Sequence, residues 1–246
     1  MIGLGRSIPS RSGRRRDAYL SARSRYSQLQ RRFRDPALTV LTVLLLTEIF
    51  VIVPLLAMGL APRLLVSPLV PVFIAAVVVA SDHIIAVMAV GLGMTLALLA
   101  TVLHLTVTSA LSIYLHLIAG LVVACALFWV VARAVFAPGR ITYHRIVGTL
   151  LLYLTIGVMF ASLYGLAGLL VAHPFSGMPR RDDVAAVIAH ALYFSFSTLT
   201  TAGYGDITPS HAITRGLSNL EAVIGQLFPA TVIARMVTLH LADRDQ

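Results

Sequence analysis

From residue 37 onward the chain alternates long apolar runs with short polar or proline-bearing joins, and the runs have the length of membrane helices. A bilayer core of roughly 30 Å needs about 20 residues at helical rise. Segments at about 37–60, 65–80, 84–104, 112–136, 146–172 and 213–240 meet or approach that length. The second is the shortest and carries Pro68 and Pro71 at its start, where proline is tolerated because its missing N–H would be unpaired anyway. Only Ser81-Asp82-His83 separates it from the third, so these two are expected to form a tight antiparallel hairpin. The pattern predicts an all-α membrane protein with six transmembrane helices.

A further apolar stretch, Asp183 to Thr200, breaks the rule of full spans. It ends in small hydroxyl residues, and the chain would then have to reverse within residues 202–209, where Gly203, Gly205 and Pro209 do not continue a helix. The consistent reading is a re-entrant half-helix followed by an extended return. Irregular backbone at membrane depth is tolerated only where protein or a water-filled path surrounds it, so this stretch implies a pore.

The return carries Thr198-Leu199-Thr200-Thr201-Ala202-Gly203-Tyr204-Gly205-Asp206, a string that offers backbone carbonyls rather than reactive side chains. Dehydrating a cation requires replacement oxygens, and carbonyls supply them without a full charge. Gly203 and Gly205 can adopt positive φ, which lets successive carbonyls turn toward one axis. The string resembles the potassium-channel pore domain, whose signature T-x-x-T-x-G-Y-G is met by Thr198, Thr201, Gly203, Tyr204 and Gly205, with Asp206 following. The resemblance covers about residues 145–242, with outer helix, pore helix, filter and inner helix in that order. It implies ion sites at Thr201, Ala202, Gly203, Tyr204 and Gly205, the Thr201 hydroxyl forming the innermost ring. Thr198, Thr200, Asp206 and Tyr193 are expected to support the filter.

Tyr193 and Phe194 stand where the family commonly places an aromatic cuff, and Tyr193 is positioned to bond to Asp206; plain packing is the other reading of the pair. Two departures matter. Ala202 replaces the usual Val or Ile, which puts strict selectivity for potassium over sodium in question. Ser197 occupies a position at which some relatives carry a glutamate. Closing a ring of carbonyls takes four strands and this chain has one, so a homotetramer is expected.

In the last span, Gly225 lies about twenty residues after the filter, and Pro229 follows one turn later. Both are costly in a helix interior, about 1 and 3 kcal/mol respectively, so the pair suggests a bend or gate; close helix packing at Gly225 is the alternative. Glu221 sits one turn before Gly225. An acid in a span is a functional candidate by default: either four such carboxylates ring the cavity and concentrate cations, or Glu221 makes a buried hydrogen bond to the pore helix, for instance to Thr200 or Ser197.

Composition agrees with the membrane reading: the chain is 58% hydrophobic and 12% charged, against roughly a quarter charged in soluble proteins. The net charge of +9 does not point to nucleic acid, because ten of the nineteen basic residues precede Asp35 in one Ser- and Arg-rich tail. Residues 1–36 are expected to be a disordered cytosolic tail that can meet anionic lipid. Positive charge on the cytoplasmic side places both termini inside a plasma membrane, together with Arg133, Arg140 and Arg145. Residues 37–137 form a four-helix region in which Arg133 is the only arginine of the fourth span. Voltage sensing needs several charges, each gaining about 2.3 kcal/mol per 100 mV, so these helices are expected to be a scaffold or a sensor of something else. Glu48, His104 and His116 are its polar exceptions. Cys125 is alone, which excludes a disulfide framework or cysteine metal cluster within one chain. The few residues after the last span are expected to leave no room for a regulatory domain. No catalytic constellation or cofactor site accompanies the pore, with potassium as the permeant ion. The alternatives are a weakly selective cation channel and a non-conducting membrane sensor or assembly protein.

Overall fold

The computed structural model describes residues 37–60, 84–106, 110–136, 143–178 and 184–244. The expected basic tail at 1–36, the second span at 65–80 and its hairpin join lie outside these residues. Six helices are described: α1 (Ala37–Ala57), α2 (Ile84–Thr106), α3 (Ala110–Phe136), α4 (Tyr143–Leu170), α5 (Val184–Leu199) and α6 (Ala212–Arg244). Two-residue strands β1 (Phe175–Ser176) and β2 (Thr208–Pro209) complete the described elements.

Four of these helices are long and apolar enough to cross a membrane: Ala37–Ala57, Leu111–Phe136, Ile146–Leu170 and Ala212–Arg235. In α2 the apolar stretch is Val87–Leu103. The chain is a membrane protein. At 16 residues, α5 is only about 24 Å long at 1.5 Å per residue, short of the roughly 30 Å core. It is the half-helix that the sequence predicts.

The helices meet through glycines on their facing sides. Gly93 of α2 faces Val123 of α3, Gly165 of α4 faces Leu117 of α3, and Gly148 of α4 faces Val135 of α3 and Leu38 of α1. Their small size lets backbones approach where the hydrophobic effect does not drive association. Two polar ties add to the α1–α4 contact, Thr39 Oγ1 with His144 Nδ1 at 2.9 Å and Thr42 Oγ1 donating to Val147 O at 3.5 Å. A core of Leu38, Leu41, Leu127, Val131, Leu151 and Leu152 fills the space between α1, α3 and α4.

In α1 a π-helical turn, Glu48–Ile52, precedes Pro54, and Val53 N–H donates to Glu48 O. Proline lacks the N–H that would close its own turn, and a π turn is one of the ways a helix absorbs that gap. The turn brings Phe50 against Phe196 of α5, with centroids 5.8 Å apart, so the first helix supports the pore helix directly. His116 lies 2.8 Å from Ser112 O of its own helix and 3.3 Å from Thr101 Oγ1 of α2.

Candidate functional site

The helix α5 ends at Leu199, and the signature string continues its last turn before leaving it. Thr200 N–H donates to Phe196 O at 3.0 Å, Thr201 N–H to Thr198 O at 2.9 Å, and Gly203 N–H to Ser197 O at 3.1 Å. The Thr198 and Thr200 hydroxyls turn back to Phe194 O and Phe196 O. The start of the glycine-bearing strand is thereby pinned to the end of α5 by its own backbone.

Gly203 and Gly205 have φ of +54° and +82°, the left-handed conformations their lack of a Cβ permits. Thr201 shares that region at φ +58°, which the sequence reading did not anticipate. A left-handed conformation costs a β-carbon residue about 1–2 kcal/mol, so its surroundings must hold it there. Residues 200–206 are all exposed in the single chain.

Tyr193 and Phe194 face opposite ways. The ring of Tyr193 stacks on Tyr204, 5.8 Å between centroids and 8° between planes, and its hydroxyl interacts with the Asp206 carboxylate. Phe194 is buried behind the pore helix, edge-on to Tyr164 at 4.9 Å and to Phe175 at 5.1 Å. One aromatic therefore packs on the signature string and the other fastens α5 to α4.

The far end of the signature string is held by a device that no sequence pattern announced. Strand β1 pairs antiparallel with β2, Phe175 opposite Pro209 and Ser176 opposite Thr208. Pro174 O accepts hydrogen bonds from Ser210 N–H at 3.0 Å and from the Thr214 hydroxyl at 2.8 Å. Gly177, at φ +82°, is so close to the filter's end that a Cβ would lie 2.0 Å from Asp206 O. Two-residue strands are too short for alternation to show, and Gly177 signals only a turn.

Glu221 does not face a cavity. It is fully buried, its Oε2 accepting from Tyr164 Oη at 2.6 Å and its Oε1 lying 2.5 Å from Ser195 Oγ. Ser195 Oγ also lies 2.8 Å from Gly157 O. This corrects the expected ring of carboxylates. The buried hydrogen bond to the pore helix is present, with Ser195 as its partner there rather than Thr200 or Ser197, and Tyr164 of α4 as the second partner. The physical reason is the neighbouring glycine. A Cβ on Gly225 would lie 2.0 Å from Leu199 O, so α6 presses its Gly225 face onto the end of the pore helix, and Glu221, one turn away, is carried into the same interface. Phe228 joins them, 5.7 Å from Tyr153, while Tyr153 Oη donates to Leu199 O at 3.0 Å. A buried carboxyl is tolerated when hydrogen-bonded, and here its two oxygens join α4, α5 and α6.

Helix α6 runs unbroken through Pro229 to Arg244. Proline removes the i to i−4 bond, which at Pro229 would be to Gly225 O, so the close packing and the weakened turn meet at one residue. Two contacts of α6 were missed by sequence reasoning. Gln226 Nε2 donates to the filter's Thr201 Oγ1 at 3.0 Å. Arg235 reaches the end of α3, its Nη2 donating to Phe136 O at 3.3 Å and its guanidinium lying 4.5 Å from the Phe136 ring centre.

Outer helix, half-length pore helix, glycine-bearing strand and inner helix together define an ion-channel pore domain. Residues 148–240 match the family described as "Ion channel", in keeping with the potassium-channel pore-domain family that the filter string resembles. The chain is similar to protein LctB of Bacillus caldotenax, 32% identical over 87 residues, which are 35% of this chain and 64% of that protein. LctB of Geobacillus stearothermophilus matches to the same extent. The chain thus spans 64% of the length of the curated relatives it matches.

Proposed function

We propose that the chain is a subunit of a homotetrameric, potassium-selective channel that passes ions passively across the plasma membrane. One observation carries the reading. A strand with left-handed Gly203 and Gly205 leaves the end of a half-length helix, and its residues 200–206 lie exposed on a single chain. Irregular backbone at membrane depth has to be covered by protein or line an aqueous path. Four such strands about one axis satisfy both conditions, leaving the carbonyls of Thr201, Ala202, Gly203 and Tyr204 to replace the ion's hydration shell. The apolar side chains of Leu220, Val223, Leu227 and Ile233, exposed on α6, then find cover in neighbouring subunits and lipid. Residues 145–242 make the pore, residues 37–137 its scaffold, and the Arg-rich tail lies on the cytoplasmic side near anionic lipid. The turn at Gly225 and Pro229 is where the lower inner helix bends to gate.

Purified protein in liposomes should carry potassium flux, with reversal potentials that follow the potassium gradient, and Gly203→Ala should abolish it. Absence of flux through the wild-type protein refutes the proposal. Ala202 favours a second reading, a weakly selective cation channel, because its small side chain packs less against the pore helix than Val. Comparable potassium and sodium permeabilities, sharpened toward potassium by Ala202→Val, would establish that reading instead.

A further inference from the structure

We propose that Gln226 is a specificity-determining positioning residue of the pore, holding the Thr201 hydroxyl in the orientation in which it serves the innermost ion site. The inference rests on the potassium-channel reading above and goes beyond it, to a side chain outside the filter string.

A primary amide is an unusual group for the middle of an apolar helix, where polar side chains face protein or water rather than lipid. Gln226 lies among Ile224, Leu227 and Phe228. The contact of Gly225 with Leu199 O fixes the height and rotation of α6 against the pore helix. Gln226, the next residue, is thereby brought beside the first turn of the filter. There Nε2 donates to Thr201 Oγ1 at 3.0 Å, and among the described residues this is the hydrogen bond from α6 to the filter string. The exposed amide stands on the open side of the chain, on the face away from the buried carboxyl of Glu221.

The chemistry of the pair explains what the bond does. A threonine hydroxyl has one proton and two lone pairs. An N–H from Gln226 occupies one lone pair and turns the oxygen, leaving the other lone pair for a cation. The backbone needs such a hold, since Thr201 sits at φ +58° and its other described tie is its own N–H to Thr198 O. Without the amide, the hydroxyl is free to rotate about χ1 and to form the local backbone bonds that threonines favour, which withdraws it from the ion. The amide oxygen of Gln226 remains available to water or a partly hydrated ion arriving below the filter.

The test is a double-mutant cycle in planar bilayers and liposomes, with Gln226→Met, which keeps length and helix propensity, and Thr201→Ala. Barium is the probe, a divalent ion of nearly potassium's radius that reads the field of the innermost oxygen ring. Gln226→Met is expected to weaken barium block about tenfold, the equivalent of 1.4 kcal/mol, and to lower the ratio of potassium to sodium permeability. The melting temperature of the purified assembly should stay within a few degrees of wild type. In the Thr201→Ala background the same change should have no further effect on block. Unchanged block and permeability ratio in Gln226→Met, or effects that simply add to those of Thr201→Ala, would overturn the inference while wild-type conduction upholds the channel reading. Wild-type protein that carries no potassium would overturn both.

Discussion

Replacing Gly225 by alanine separates a packing role from a purely flexible one. The added methyl would meet Leu199 O at 2.0 Å, its carbonyl carbon at 2.8 Å and its Cα at 3.1 Å. Ordinary contact begins near 3.4 Å, so α6 and the end of α5 must part by about 1.4 Å. Backbone has no rotamer through which to yield, and the same carbonyl oxygen accepts from Tyr153 Oη, so motion of Leu199 disturbs a second tie. Overpacking costs roughly 1–3 kcal/mol and a neutral hydrogen bond about 1 kcal/mol; the helix propensity gained on leaving glycine offsets about 1 kcal/mol. A net loss of about 1–3 kcal/mol per chain is expected by these figures. Gly168→Ala is the control, since nothing lies within 4 Å of its Cβ position, and it should be neutral or stabilising by up to about 1 kcal/mol. Thermal unfolding of the purified protein in detergent measures both, alongside potassium flux in liposomes. Gly225→Ala should lower stability and flux together. If it is as stable as wild type and alters only the opening of the channel, the packing argument is refuted and Gly225 acts as a hinge alone.

Two other substitutions probe the supports of the filter. Glu221→Ala removes the acceptor of the Tyr164 hydroxyl and leaves Ser195 with Gly157 O alone, at a cost of about 2–4 kcal/mol for a buried, hydrogen-bonded carboxyl, whereas Glu221→Gln keeps the shape and an accepting oxygen and should retain most of the stability. Unfolding curves of the two variants check this, and equal losses would count against the hydroxyl clamp. Gly177→Ala combines a left-handed backbone with a contact 2.0 Å from Asp206 O, so it should destabilise by at least about 1 kcal/mol and make conduction decay during sustained recordings; currents through the variant as steady as those of the wild type would argue that the β1–β2 ribbon does not support conduction.

Much of the pore was legible because its physics is local. The half-helix shows in the length of its apolar run, and Gly203 and Gly205 in the demand for positive φ, while the bond of Tyr193 to Asp206 follows from the family resemblance. Partnerships across long sequence distances were not legible. A helical wheel groups Glu221 with Gly225 and Phe228 but does not say whether that face looks to the pore or to the pore helix. The answer depends on Tyr164 and Ser195, brought in from two other helices. Gln226 was overlooked for the complementary reason, lying just off the face that the glycine drew attention to. The left-handed Thr201 has no sequence signal, since the residue type argues against it.

The pairing of β1 with β2 has a consequence for how such a channel is made. It joins the two ends of the stretch from Phe175 to Pro209, so the pore helix and filter form a closed loop within one chain. Closing that loop has an entropic cost that grows only slowly with loop length, and it is met within one chain. On the proposed channel reading, each chain then brings its pore helix and return strand already tied at both ends, and assembly becomes the docking of such parts rather than the joint folding of unstructured loops.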